Sequence, residues 1–311
     1  MIKDEMADGL TKDEEADLVR QGERTVDNLK RLFAVIFALS FGIAGASVIG
    51  RIEAVLSSNG PLNIGRPLLL LNLEMLVVFT ATAAIFYHHG AKFLDHRYAS
   101  KPWSEAHPIG FALDFITLVL TMVPFYFMAH SLRSDITHKV GYTMYFWSYS
   151  TLIYVGLLLL VLAEIRHLPV IRERVFHERL SQNELSRDRR LRSFWFVMNC
   201  VALIVVMKLF DWQLDSGNAC PTNGDPSKFL YAFGVVAVAR DILDYVFAWR
   251  YIYPVPSHIR EKKAVLPIRI VTDHLWVAYA ISLASISYLT YLIFWEIQML
   301  DVGKWLAACR V

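Results

Sequence analysis

Apolar residues in this chain come in long blocks separated by shorter polar segments. Seven blocks stand out: Leu32 to Val55, Pro67 to Tyr87, Pro108 to Leu132, Gly141 to Ile165, Ser193 to Leu214, Phe229 to Tyr253 and Val271 to Leu300. Each reaches or exceeds the roughly 20 residues that a helix needs to cross about 30 Å of hydrocarbon. The pattern predicts an all-α, polytopic transmembrane helical bundle with about seven spanning helices. No unit of solenoid length recurs along the chain. Before the first block, Thr11-Lys12-Asp13-Glu14 fits a capping box, and Leu18, Val26, Leu29 and Phe33 follow at helical spacing. Residues 1–31 are therefore expected to form a charged helix or tail leading into a bundle over 32–300, with a short tail at 301–311. In the first block Gly42, Ala46 and Gly50 recur every four residues. Such a ridge lets helix backbones approach closely, and packing within the chain is the expected use.

Composition agrees with this pattern. The chain of 311 residues is 55% hydrophobic and only 19% charged, and its mean hydropathy is +0.39. The net charge of +2 says little, because the charges are segregated. Lysines and arginines number six, three, eight and five in segments 1–31, 88–107, 166–192 and 250–270. The alternate segments 51–66, 133–140, 215–228 and 301–311 hold two, two, one and two. Cytoplasmic loops carry such an excess, so the N-terminus is expected inside and the C-terminus outside. Segment 166–192 is the richest in arginine. Arg172, Arg174, Arg179, Arg189 and Arg190 are interleaved with apolar residues there and suit contact with anionic lipid headgroups. Cys220 and Cys309 would both lie outside, where a bridge is permitted. A multi-pass protein of a bacterial inner membrane, with lipids and a homo-oligomeric partner but no nucleic acid, is the expectation.

The sixth block carries the unusual chemistry. Arg240, Asp241 and Asp244 fall within five residues of one another in an apolar stretch. Ionisable groups at that depth are costly and mark functional sites. Arg240 and Asp244, four apart, share a helix face and can pair. Asp241 points about 100° away and needs a partner from another helix. Counting about 1.5 Å per residue puts Asp114, Asn199 and Asp244 all roughly 8–10 Å from the inner surface. Two layers follow as expectations: an inner ion pathway of Asp114, Asn199 and Asp244, with Asp241 alongside, and above it a structural ion pair of Arg240 with Glu74 or Asp241. Two carboxylates brought together would share a proton or hold a cation.

Other chemistries find little footing. His88, His89 and His96 lack the repeated HxxHH boxes of membrane di-iron enzymes, so no metal is expected. No pair of mid-helix histidines suits a haem, there is no phosphate-binding glycine loop, and no nucleophile is paired with a base. Neither a cofactor nor an enzymatic role is expected. Asp241-x-x-Asp244 is a fragment of the motifs that hold Mg²⁺ on a pyrophosphate, but a second acidic motif is missing.

Residues 67–165 resemble the bacterial relatives of the endolysosomal potassium channel. The likeness lies in Phe86-Tyr87-His88-His89 closing the second block, Val123-Pro124-Phe125 late in the third, and a Tyr- and Leu-rich fourth block ending near Arg166. That family's repeat has six helices and an Arg then Phe-Ser-Asp element in its first helix. The corresponding region here reads Arg31-Leu32-Phe33-Ala34-Val35-Ile36-Phe37-Ala38-Leu39-Ser40-Phe41, without the aspartate. The resemblance implies an oligomeric cation channel and assigns no pore residue. A channel or carrier for protons or small cations is thus the leading expectation. A membrane sensor, effector or scaffold is the second, and an intramembrane lipid-modifying enzyme the third.

Overall fold

The computed structural model describes residues 11–57, 62–95, 108–133, 138–166, 168, 171, 182–215, 226–252 and 275–291. Among these the chain is helical, with no strand. Seven helices are described: α1 (Lys12–Ser57), α2 (Leu62–Leu94), α3 (Pro108–Ser131), α4 (His138–Arg166), α5 (Gln182–Asp215), α6 (Pro226–Ile252) and α7 (Leu275–Tyr291). Five of them, α1 to α5, are long and apolar enough to cross a membrane. The sixth has the length, with 27 residues, but Arg240, Asp241 and Asp244 interrupt its apolar run.

Local sequence explains where the helices begin. The backbone N–H of Thr11 donates to Glu14 Oε2 at 2.7 Å, and the Glu14 N–H donates back to Thr11 Oγ1 at 3.4 Å. This reciprocal box satisfies two backbone donors that the first helical turn leaves unpaired. Donation from Thr11 also holds the exposed Glu14 carboxyl below its ordinary range. From that cap α1 runs 46 residues without a break, about 69 Å at the usual rise. The polar N-terminal stretch and the first apolar block are therefore one helix.

Six helices close into a ring. Neighbours in it are α1 with α2, α2 with α6, α6 with α5, α5 with α4, α4 with α3, and α3 with α1; α7 packs on the outside against α5. Two aromatic clusters fill the interior. Phe37, Phe79 and Phe125 meet between α1, α2 and α3, with Phe37 and Phe125 centroids 4.9 Å apart. Phe146, Phe210, Phe229 and Phe233 meet between α4, α5 and α6. Such contacts add about 0.5–1.5 kcal/mol each beyond the area they bury.

The outer faces are apolar. Leu113, Ile116, Leu120, Val123 and Phe127 of α3 are exposed at helical spacing, and so are Tyr231, Val235, Ile242 and Val246 of α6. Arg240, Asp241 and Asp244 lie on the opposite, buried face of α6. Charge inside and hydrocarbon outside is the arrangement a lipid solvent selects. The small-residue ridge of α1 behaves differently from expectation. Gly42 and Ala46 are exposed, and a Cβ on Gly42 would meet nothing within 4 Å. That part of the ridge faces outward rather than into the chain's own core.

Ion pairs tie the ring together at one end. Lys30 of α1 reaches Asp95 after α2 at 2.6 Å, Arg166 of α4 reaches Asp114 of α3 at 2.9 Å, and Arg192 of α5 reaches Glu164 of α4 at 2.9 Å. At the other end Arg51 is the tie. Its Nε donates to the Leu132 carbonyl at 2.7 Å and its NH2 nitrogen to the Arg133 carbonyl at 2.6 Å. A guanidinium there satisfies carbonyls left open at the C-terminus of α3 and opposes its dipole. Because bonds from charged donors contribute about 1.5–3 kcal/mol each, Arg51→Ala is expected to cost about 2–4 kcal/mol. Thermal unfolding in detergent checks this, and an unchanged melting temperature would show the cap to be idle.

Candidate functional site: a buried charge network

The network forms where α2, α5 and α6 meet. Arg240 is its centre. One guanidinium nitrogen donates to Asp241 Oδ1 at 2.6 Å, and the other approaches Asp244 Oδ2 at 3.2 Å. Nε and the second nitrogen both donate to Asn199 Oδ1 at 3.0 Å. Each carboxylate has a further donor: the Thr82 hydroxyl reaches Asp241 Oδ2 at 2.7 Å, and the Trp195 indole N–H reaches Asp244 Oδ1 at 2.7 Å. The guanidinium also lies over the Phe86 ring, 5.2 Å from its centroid, a cation–π contact. Arg240, Asp241, Asp244 and Asn199 are only 4, 1, 2 and 6% exposed. A fork of fixed N–H groups suits a site where two carboxylates and an amide must share one cation.

Helix geometry explains why these groups converge. Asp244 is one turn from Arg240 along α6, while Asn199 and Trp195 are one turn apart on α5 and present both groups to the same place. From α2, Thr82 and His89 reach the same face of α6, seven residues apart and thus about two turns. His89 Nδ1 lies 3.6 Å from Asp244 Oδ1. Its ring centroid is 5.6 Å from that of Trp195, and His88 lies beside His89 and Tyr245.

Charge does not balance within this network. One guanidinium faces two carboxyl groups, so with both ionised and His89 neutral the cluster would carry one excess negative charge. An uncompensated charge is what a low-dielectric interior tolerates least. The arrangement can therefore take up one more positive charge, and His89 stands at its edge.

Asn199, Asp241 and Asp244 are thus brought together, with Arg240 among them. Two of the sequence-based placements are corrected. Asp114 is not in this layer: it pairs with Arg166 of α4, and in the ring α3 borders α1 and α4 rather than α5 or α6. Its depth matches the cluster's, but depth leaves the direction around the ring open. Glu74 is not the partner of Arg240, whose guanidinium turns to the carboxylates of its own helix and to α5. Glu74 instead sits against Gly234 of α6, where a Cβ would collide with the carboxylate. Its Oε2 is buried and has no hydrogen-bond partner among the described residues.

Of the arginines expected at the headgroups, Arg189 is exposed and Arg190 half-buried on α5. Arg172, Arg174 and Arg179 lie outside the described residues, as do Cys220 and Cys309. Thr82, His89 and Trp195 were missed. The depth count would have found His89 and Trp195, which stand near the inner ends of their helices level with Asp244. Nothing marked Thr82, a common hydroxyl in an apolar run.

No family model, curated protein or solved structure matches this chain. The functional reading rests on the site itself.

Proposed function

We propose that this chain is an integral membrane transport protein, a channel or carrier that moves protons or small cations through the ring formed by α1 to α6. The observation that carries this reading is the pair of buried carboxyl groups, Asp241 and Asp244, around the single guanidinium of Arg240. A purely structural ion pair needs one carboxylate per guanidinium, and a second one, buried at 1–2% exposure, adds desolvation cost that hydrogen bonds offset but no second fixed cation balances. A travelling proton or cation supplies the missing charge. In this scheme Arg240 is the fixed countercharge, Asp241 and Asp244 hold the mobile one, and Asn199 positions the guanidinium. The resemblance to the potassium-channel relatives adds the proposal of a homo-oligomer in a bacterial inner membrane. The direct test is flux into liposomes containing the purified protein, with empty liposomes as control; equal uptake in the two would end the transport reading.

The topology proposed with this function has seven spans, α6 and α7 included, with the N-terminus inside. Single cysteines in a cysteine-free background are expected to label from outside at Ser216 and Lys304. At Ser181 and Lys262 they are expected to label only from inside. Inside labelling at Lys304 would remove the seventh span.

One observation favours a second reading, a sensor or scaffold. The α1 helix carries its polar stretch, about 20 residues from Lys12, rigidly beyond the apolar block, roughly 30 Å at the helical rise. If deletion of residues 1–30 abolishes the cellular phenotype while purified full-length protein gives no flux, the second reading replaces the first.

A further inference from the structure

One face of α2 supplies a contact to each ionisable residue of α6 in turn. The Thr82 hydroxyl donates to Asp241 at 2.7 Å, the Phe86 ring lies under the Arg240 guanidinium at 5.2 Å, and His89 Nδ1 stands 3.6 Å from Asp244 Oδ1. Steps of four and three residues keep the three side chains on that face. A hydroxyl and a phenyl ring are neutral at any ordinary pH. Imidazole is the member of the set that changes its charge near neutrality.

The oxygen that His89 faces has room for it. Asp244 Oδ2 is turned to Arg240, and Oδ1 accepts the Trp195 indole N–H at 2.7 Å. A carboxylate oxygen carries two lone pairs, so Oδ1 can accept from a second donor. At 3.6 Å the neutral ring is too far for a hydrogen bond, yet the separation is within that of an ion pair once the ring is charged. His89 is also the network's approach to water. Its side chain is 13% exposed, against 3% for Asp244, 3% for Arg240 and 1% for Asp241. Between α5 and α6 the seam beyond Asp244 is closed by Phe194 and Phe247, whose rings stack with centroids 3.6 Å apart and pack with Met198 and Trp195. This end of the ring, where Lys30 pairs with Asp95 and Arg192 with Glu164, faces inward in the topology proposed above.

We propose that His89 is a proton-binding site of the network, the point at which the network exchanges protons with water on the inner side. This rests on the transport reading and names the proton as the charge that enters there. The ring is neutral at rest. In the exchange its free nitrogen takes one proton from a hydronium ion, which leaves as water, and the charge of the cluster rises by one. With Asp241 and Asp244 ionised, the imidazolium and Arg240 then balance them. Both imidazolium nitrogens are donors, so an Nδ1–H faces the open lone pair of Asp244 Oδ1. Return of the proton to water restores the starting state. The charged and titratable groups around His89 are Asp244 and Arg240 from α6 and His88 from α2 itself, with Lys92 and Tyr245 next to His88. From α5 the neighbour is the Trp195 indole, and α1 and α3 present the apolar Phe33 and Leu118 at the adjoining Gly90.

Two measurements on full-length protein test this. The first follows the His89 ring by NMR in protein labelled at its histidines, the His89 resonance being the one that His89→Gln removes. Its titration midpoint is expected to fall by about one pH unit or more in Asp244→Asn, the effect of removing an opposite charge at ion-pair distance. The second compares proton, sodium and potassium uptake by liposomes. Wild type is expected to take up protons. His89→Gln is expected to melt like the wild type while proton uptake falls about a hundredfold, the contribution of a positioned proton carrier. An unmoved midpoint, or wild-type proton uptake by His89→Gln, overturns the role of His89 and leaves the transport reading standing. Sodium or potassium uptake without proton uptake by the wild type does the same. Absence of flux for all three cations overturns both.

Discussion

Arg240→Ala is expected to be the most damaging single substitution in this protein, costing about 3–5 kcal/mol. The substitution leaves Asp241 and Asp244 facing each other's charge inside the ring with the Thr82 hydroxyl, the Trp195 N–H and, 3.6 Å from Asp244, His89 beside them. The hydroxyl and the N–H satisfy lone pairs but supply no charge. The cost is therefore mainly the penalty of two stranded carboxylates, not the loss of the bonds that Arg240 made. That distinction can be measured. Arg240→Ala with Asp241→Asn and Asp244→Asn removes all three charges together, and the triple variant is expected to recover most of the lost stability. Detergent melting and membrane abundance report both values. If Arg240→Ala melts like the wild type, the carboxylates are protonated or hydrated without it, and the guanidinium is not their countercharge.

Much of this site was legible in the chain because it is a violation of a strong rule. Three ionisable residues in an apolar block are visible in any lipid-spanning sequence, and the four-residue spacing of Arg240 and Asp244 placed them together. The need of Asp241 for a donor on another helix was also readable, and Thr82 meets it. Which helix would answer was not. In a bundle, hydropathy and helical rise set the depth of a residue, but the order of helices around the ring depends on side-chain packing that leaves no simple periodic mark. Asp114 shows the consequence: it has the right depth but the wrong neighbour, and Arg166, placed just past the end of the fourth block, proved to be the last residue of α4 and its partner. Glu74 erred in the same way. Arginine can extend along its helix in either direction, and inward it found two carboxylates and an amide at once. The partnership of Glu74 with Gly234 was hidden because a glycine in an apolar helix looks the same whether it admits a backbone, a lipid or a carboxylate.

Single and double replacements of the two aspartates are expected to separate folding from function most sharply. Asp241→Asn removes one negative charge and leaves Arg240 balanced by Asp244, and Asp244→Asn leaves it balanced by Asp241. The amide keeps the shape of the carboxylate, so each single variant is expected to lose less than about 1.5 kcal/mol, the scale of one neutral hydrogen bond. Each is nevertheless expected to reduce flux strongly, because the neutralised cluster no longer has a vacancy for a travelling positive charge. The double variant strands the guanidinium. Its loss of stability is expected to exceed the sum of the single losses by about 0.5–3 kcal/mol, the range seen for residues that share one network. The opposite result is equally clear. If the network were a structural tie alone, each single substitution would leave flux intact, and additive losses in the double would show that the two carboxylates do not share Arg240. Flux in liposomes and melting in detergent, measured on the same three preparations, decide between a charge site that carries a mobile ion and one that only holds α6 in the ring.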